Sequence, residues 1–190
     1  IVIVKQLFGG IGQNFMNPAL AARAFMLASW PTLMTSFSAP FERLPVFGNV
    51  DIVSSATPLA LLKSTEAAGN LPNYLQLFIG NVGGCIGETS ALLLLIGGIY
   101  LMVRKVINPR IPLCFIGTVA LLSYIFGGQN GLFTGDPLYH ILAGGLMLGA
   151  FFMATDYTTS PVTPWGQVIM GIGCGVITVL IRLIGGYPEG

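Results

Sequence analysis

The chain has 190 residues, of which 54% are hydrophobic and only 8% charged, against roughly a quarter charged in an ordinary soluble domain. Its formal net charge is +1 and its mean hydropathy +0.81. Too few charges to cover a water-exposed surface exclude a soluble globular domain, and the near-neutral balance argues against a nucleic-acid partner. What remains is an integral membrane protein, and the 26 glycines suit the close packing of membrane helices.

In chain order, residues 1–4 read as the tail of a span, and the chain begins without Met and ends on the turn Gly-Gly-Tyr-Pro-Glu-Gly. The expectation is a piece of a longer polypeptide, incomplete at both ends. Apolar segments follow at 17–36, 87–103, 111–126, 138–154 and 164–184. Several are at or below the roughly 17–25 residues that a spanning helix needs, which suits broken or tilted helices. Asn17-Pro18, Asp136-Pro137 and Thr163-Pro164 each set a capping side chain before a proline at the first helical position. Gly145 with Gly149, and Gly171 with Gly175, have the small-xxx-small spacing of close helix contacts.

The predicted organisation has three parts: 1–36, the end of a span, a cytoplasmic loop and a first complete helix; 37–86, the long extracytoplasmic loop; and 87–190, four further spans with short loops. Arg104, Lys105 and Arg110 place the loop between the second and third segments in the cytoplasm. Alternation then puts 5–16 and 155–163 on the same side; Lys5 agrees, whereas Arg43, Lys63 and Arg182 fall on the other side. A helical stretch around Leu59 to Ala68 is expected to lie along the membrane surface. Asn17-Pro18-Ala19 and Thr159-Ser160-Pro161 form a faint internal echo, of the kind that marks a site between structural repeats.

The long loop holds Ser54-Ser55-Ala56-Thr57-Pro58. The small neighbours leave the Thr57 hydroxyl approachable, and Pro58 biases Thr57 toward extended backbone. The only histidine, His140, lies at the start of another span, so an internal Ser/His-type nucleophile is disfavoured. Spacing alone makes this run a hydroxyl-rich turn. Arg23, about two turns into a span, is either a functional intramembrane charge or a snorkelling side chain. Glu88 reads as a first-turn carboxylate favouring the helix dipole, or as part of an ion path. Asp156 pairs with Arg23, binds a cation, or forms a turn with Thr158 and Thr159. Asn14, Asn17, Asn81, Gln129 and Asn130 are neutral polar groups near span ends, and Phe15, Phe25, Trp30 and Trp165 are interfacial or core aromatics. The scattered Cys85, Cys114 and Cys174 have no C-x-x-C spacing and read as buried apolar residues; any metal is unknown.

Four blocks then occur in order: Gly-Gly-Ile-Gly-Gln-Asn-Phe-Met-Asn-Pro-Ala-Leu-Ala-Ala-Arg-Ala-Phe (9–25), Ser-Ser-Ala-Thr-Pro-Leu (54–59), Gly-Asn-Val-Gly-Gly-Cys-Ile-Gly-Glu-Thr-Ser (80–90) and Phe-Met-Ala-Thr-Asp-Tyr-Thr-Thr-Ser-Pro-Val-Thr (152–163). The set resembles the D subunit of the Rnf electron transport complex and, more distantly, the B subunit of the sodium-translocating NADH:quinone reductase, over nearly the whole chain. The resemblance implies an all-α polytopic transmembrane bundle with a urea-transporter-like inverted repeat, in a bacterial or archaeal cytoplasmic membrane. It implies a subunit, not catalytic alone, of a complex that couples electron transfer between ferredoxin and NAD to Na⁺ or H⁺ translocation, with flavoprotein and iron–sulfur partner subunits. It also implies FMN held by a phosphodiester on the residue matching Thr57, among Ser54, Ser55, Ala56 and Pro58; from the residue types alone, Asn17, Arg23, Glu88 and Asp156 are candidate flavin or ion-path neighbours. Ser55 stands where the family commonly has glycine; with Ser54 it supplies alternative hydroxyls. Riboflavin, a second flavin of the quinone-reductase relative, is a further cofactor to consider. The rival readings are the B-type protein of that reductase and a cofactor-free channel or transporter of the same fold.

Overall fold

The structure, a computed structural model, describes residues 1–10, 12–35, 37, 57–63, 71–85, 87–128 and 132–185. Ser54, Ser55, Ala56, Gln129 and Asn130 lie outside the described residues, as does most of the long loop. Among the described residues all regular structure is helical: a short 3₁₀ turn (Gln6–Phe8), α1 (Pro18–Ser29), α2 (Pro31–Thr35), α3 (Pro58–Lys63), α4 (Tyr74–Ile79), α5 (Ala91–Val103), α6 (Arg110–Phe126), α7 (Pro137–Leu142), α8 (Leu146–Leu148), which runs into a five-residue π turn (Gly149–Met153), and α9 (Pro164–Ile184).

The three predicted caps form. Asn17 accepts from the N–H groups of Ala19 and Leu20, Asp136 from Leu138 and Tyr139, and Thr163 from Gly166. The prolines that follow cost nothing there, since their missing N–H would have had no intrahelical partner. The first predicted span is interrupted at Trp30, where Pro31 starts a new helix. The fourth is broken outright between Leu142 and Leu146: Ala143 is extended (ψ 140°) and Gly144 left-handed (φ 73°).

α6 and α9 form the spine. A Cβ added to Gly171 would meet the Cys114 Cβ at 2.8 Å, and one added to Gly175 would meet the Thr118 Cβ at 2.7 Å. The register rises together along both helices, so α6 and α9 run parallel. The chain returns between them through α7, the break, α8 and the π turn. Ile111, Phe115 and Val119 of α6 pack with Leu146, Ala150, Ala154 and Val179 as the main core. The predicted contact through Gly145 and Gly149 holds for one residue only. Gly145 abuts a side chain from the 80–90 segment, whereas a Cβ on Gly149 would meet nothing within 4 Å, because Gly149 borders a cleft.

The outer faces of these helices are apolar. Leu93, Ile96 and Val103 of α5, Leu113 and Leu121 of α6, and Ile169 and Ile184 of α9 are all exposed. A continuous aliphatic exterior of this kind suits hydrocarbon rather than water. By length and composition α9 is the one described helix long and apolar enough to cross a membrane; α1, α5 and α6 are shorter apolar helices.

Two ends of the bundle can be told apart. At one, the loop 104–110 meets the segment 155–167: the Tyr157 hydroxyl donates to the Val106 carbonyl, and Arg110 donates to Gln167 Oε1 at 3.5 Å. Asn14 Nδ2 donates to Thr158 Oγ1 at 2.9 Å at this end too. The segments bearing the sequence echo thus stand side by side. At the other end, Lys63 Nζ donates to the carbonyls of Gly185 and Arg182, and the Tyr74 hydroxyl donates to Asp136. That bond keeps the Tyr74 phenol protonated above its ordinary range. Contrary to the surface-lying expectation for 59–68, α3 points inward: Pro58 and Leu59 are buried, and Leu59 packs with Leu77, Tyr139 and Ala143.

Candidate functional site

The site is assembled at the helix break. An interrupted helix strands the carbonyls of its last turn, and two of these, His140 O and Ala143 O, accept from Arg182 Nη1 (2.6 Å) and Nη2 (3.4 Å) on α9. Arg182 is 4% exposed. Non-helical backbone inside a membrane bundle survives only where protein or a polar cavity satisfies it, and Arg182 does so here.

On the opposite side of the break lies the 80–90 segment. Gly80 ends α4 in a left-handed conformation (φ 104°) that L side chains rarely adopt, with Ser90 backbone 2.9 Å from where its Cβ would be. This close approach brings Glu88 against the break, its Oε2 2.6 Å from the position of a Gly145 Cβ. The expected first-turn role for Glu88 is corrected: Ser90 caps α5, its hydroxyl accepting from Leu93 N. Glu88 instead accepts from Cys85 N at 3.1 Å through Oε1 and pairs with Arg23 of α1 at 3.7 Å through Oε2. The Glu88 side chain is 3% exposed and that of Arg23 37%. Burial of a carboxylate requires such a partner, which accounts for a charge two turns into α1.

Thr57 is 8% exposed. Its Oγ1 accepts from Ala60 N at 3.4 Å and its carbonyl from Leu61 N at 3.0 Å, so it caps α3. The Tyr139 hydroxyl donates to the adjacent Pro58 carbonyl at 3.3 Å. Thr57 and Glu88 line one small chamber of about 20 Å³, walled also by Gly83, Gly84, Thr89 and Gly144; that is room for about one water. Glu88 lines in addition a central cleft of about 540 Å³ with Asn17, Arg23, Thr159 and Arg182. Arg182 borders a third cavity of about 330 Å³ with Lys63, Asp136 and His140. Glu88 and Arg182 therefore stand between successive cavities.

Of the sequence-predicted residues, the structure gathers Thr57, Pro58 and Glu88 at the chamber and Asn17, Arg23 and Glu88 at the cleft. It does not bring Asp156 there. Asp156 Oδ2 accepts from the Thr158 and Thr159 hydroxyls at 3.1 and 3.4 Å, the turn expected for it. Asn14 and Asn81 also stay at segment ends. Phe25, Trp30 and Trp165 are exposed, as interfacial aromatics are. Sequence reasoning missed Arg182, Tyr139 and Lys63. The available signal was Arg182 and Lys63 breaking the charge rule: both are committed to helix C-terminal carbonyls, so neither reports topology.

Short, outwardly apolar helices around a broken helix, with polar groups gathered at the break, define a helical membrane protein with a polar interior. The chain belongs to the NQR2, RnfD, RnfE family, which it matches over residues 1–190. It is 56% identical over 192 residues to the D subunit of the Na⁺-translocating ferredoxin:NAD⁺ oxidoreductase complex of Acetobacterium woodii, covering 100% of this chain and 56% of that protein. It is 49% identical over 197 residues to the proton-translocating counterpart of Clostridium ljungdahlii (100% and 58%). To the B subunit of the Na⁺-translocating NADH-quinone reductase of Ectopseudomonas mendocina it is 37% identical over 198 residues (100% and 47%). The chain thus spans little more than half the length of the D subunits it matches.

Proposed function

We propose that this chain is part of a multi-pass D-type subunit of an Rnf complex, an ion-translocating ferredoxin:NAD⁺ oxidoreductase in a cytoplasmic membrane. In this reading it relays electrons through FMN joined to Thr57 by a phosphodiester, in step with Na⁺ or H⁺ transport. The chain-long similarity to proteins named as D subunits, at 56% and 49% identity against 37% for a B-type relative, carries the reading and favours it over the B-type alternative. The broken helix and the parallel α6 and α9 support an inverted-repeat bundle of the urea-transporter type.

A phosphate ester on Thr57 would extend out of the one-water chamber, away from the Glu88 carboxylate that also lines it. Gly83, Gly84 and Gly144 present no side chain against the hydroxyl. The chamber of about 20 Å³ is far smaller than an isoalloxazine ring, so a ring tethered there lies beyond it. When bound, FMN supplies the electron-carrying chemistry. The chain fixes the tether: the Leu61 N–H holds the Thr57 carbonyl and Tyr139 holds that of Pro58. Glu88 and Arg23 place a paired charge between the tether and the central cleft, where an ion path or the flavin's polar edge would meet it. In-gel fluorescence of the denatured full-length protein, matured with its flavin transferase, tests this. A fluorescent band that disappears in Thr57→Ala is expected. A dark wild-type band leaves the cofactor-free transporter reading, and a band persisting in Thr57→Ala moves the bond elsewhere, with Ser54 and Ser55 next to be mapped by mass spectrometry of residues 44–63.

A further inference from the structure

We infer that the pocket between the 104–110 loop and the 155–167 segment binds the phosphate headgroup of an anionic phospholipid, with Lys105 as its principal charge. Residues Lys105, Asn108, Tyr157, Ser160 and Gln167 line this cavity of about 260 Å³, together with an apolar wall that includes Ile107 and Val162. It lies at the end of the bundle opposite Thr57, and uses none of the residues placed at the break. Arg104 and Arg110 flank it in the chain, and all three cations are exposed. Among the described residues none of the three has an acidic partner; Arg110 meets only the Gln167 amide. The one carboxylate of the 155–167 segment, Asp156, accepts from the Thr158 and Thr159 hydroxyls, and positive charge without an ion-pair partner beside a partly apolar pocket complements a lipid phosphate and its glycerol.

The backbone supplies a second, independent observation. α5 ends in a Schellman motif, with Lys105 N–H bonded to Met102 O at 2.9 Å and Val106 N–H to Leu101 O at 3.0 Å. The residue after the cap must then be left-handed, which is why glycine usually fills it. Here it is Lys105, at φ 56°, strained where glycine would not be. The helix end alone would favour glycine; the ammonium on this turn is what lysine adds, and the turn carries it to the pocket rim. Around the pocket the surface is that of a membrane interface: Tyr157 and Trp165 are exposed, and so are the aliphatic residues nearest the loop, Val103 and Leu113. The headgroup would sit among the polar groups, with its acyl chains on the aliphatic side.

The inference rests on reading α5, α6 and α9 as membrane helices, not on the flavin. The assembled complex containing the full-length chain is reconstituted in nanodiscs of phosphatidylcholine with or without phosphatidylglycerol. Thermal melting and native mass spectrometry of retained lipid are then compared for wild type, Lys105→Gly and Lys105→Arg. Wild type should retain phosphatidylglycerol preferentially and melt higher in its presence. Lys105→Gly should lower that preference roughly fivefold, as expected for one interfacial charge, while melting no lower than wild type in pure phosphatidylcholine. Lys105→Arg should keep the preference. An unchanged preference in Lys105→Gly overturns the site, and a lower melt of that variant in phosphatidylcholine overturns the strain argument. Equal protection of wild type by inorganic phosphate alone overturns the lipid assignment. So does release of a partner protein from Lys105→Gly with lipid retention unaltered, which would make the surface a protein contact.

Discussion

Glu88 and Gly145 are locked together by geometry. A methyl at position 145 would lie 2.6 Å from Glu88 Oε2, inside any allowed contact, and the carboxylate has little freedom because Arg23 and the Cys85 N–H hold it. Gly145→Ala should therefore dislodge the Glu88–Arg23 pair and lower the melting temperature of the purified protein. Gly149→Ala, four residues on and facing open space, should leave the melt unchanged or raise it slightly; equal effects of the two would show that the pair is not fixed as described. Arg182 invites a parallel test. Arg182→Met keeps the aliphatic stem but strands His140 O and Ala143 O, at about 1–3 kcal/mol for each buried group left without its donor. Arg182→Lys retains a charge but loses the planar fork that serves two carbonyls at once. Both variants should melt lower, Met more than Lys; Met melting like wild type would mean that the break satisfies its carbonyls without Arg182.

For the helices, apolar runs and proline-marked caps were enough to place α5, α6 and α9 and the starts of α1 and α7 within a few residues, because caps and hydrophobic runs are local properties; the early ends of α1 at Ser29 and α7 at Leu142 were not legible. The break was harder to read. Gly144 and Gly145 look like the other small-residue pairs of the chain, and only the arrival of Glu88 from the 80–90 segment and Arg182 from α9 makes them an interruption. The chamber was half legible: Thr57 came from a local motif, whereas its proximity to Glu88 and Gly144 is a long-range consequence of where α3 docks. Glu88 was misread as a helix-dipole carboxylate for the same reason, since its partner Arg23 is remote in sequence. The α6–α9 contact, by contrast, follows from glycine spacing and can be tested by it. Gly171→Ala would press a methyl to 2.8 Å from the Cys114 Cβ, whereas a methyl at Gly173 would meet nothing within 4 Å. Gly171→Ala should destabilise. Gly173→Ala should be neutral or stabilising, by up to about 1 kcal/mol from helix propensity. Thermal melts of the two, measured side by side, separate packing from propensity.

At the scale of the whole molecule, the direction of the chain decides which residues share a side of the membrane. Parallel α6 and α9 require the stretch between them to return across the bundle, although α7 alone is far too short to do so. α7, the break, α8 and the π turn together make that return, and the polar groups of the break are the cost of composing it from pieces. Of the three cations that contradict the positive-inside pattern, Arg43 lies outside the described residues, while Lys63 and Arg182 are occupied by helix ends, so the proposed orientation rests on Arg104, Lys105 and Arg110. The reporters follow from the contacts that distinguish the two ends. In a full-length protein whose native cysteines are replaced, single cysteines at exposed Asn108 and Val162 should react with a membrane-impermeant maleimide only when the cytoplasmic face is accessible. One at exposed Leu132, beyond the far end of α6, should react only from the opposite face. Labelling of Asn108→Cys and Val162→Cys from different sides would break the parallel pairing of α6 and α9. Labelling of all three from one side would mean that α6 does not cross, and the charge between α5 and α6 would then have to be explained without a membrane potential or lipid asymmetry to orient it.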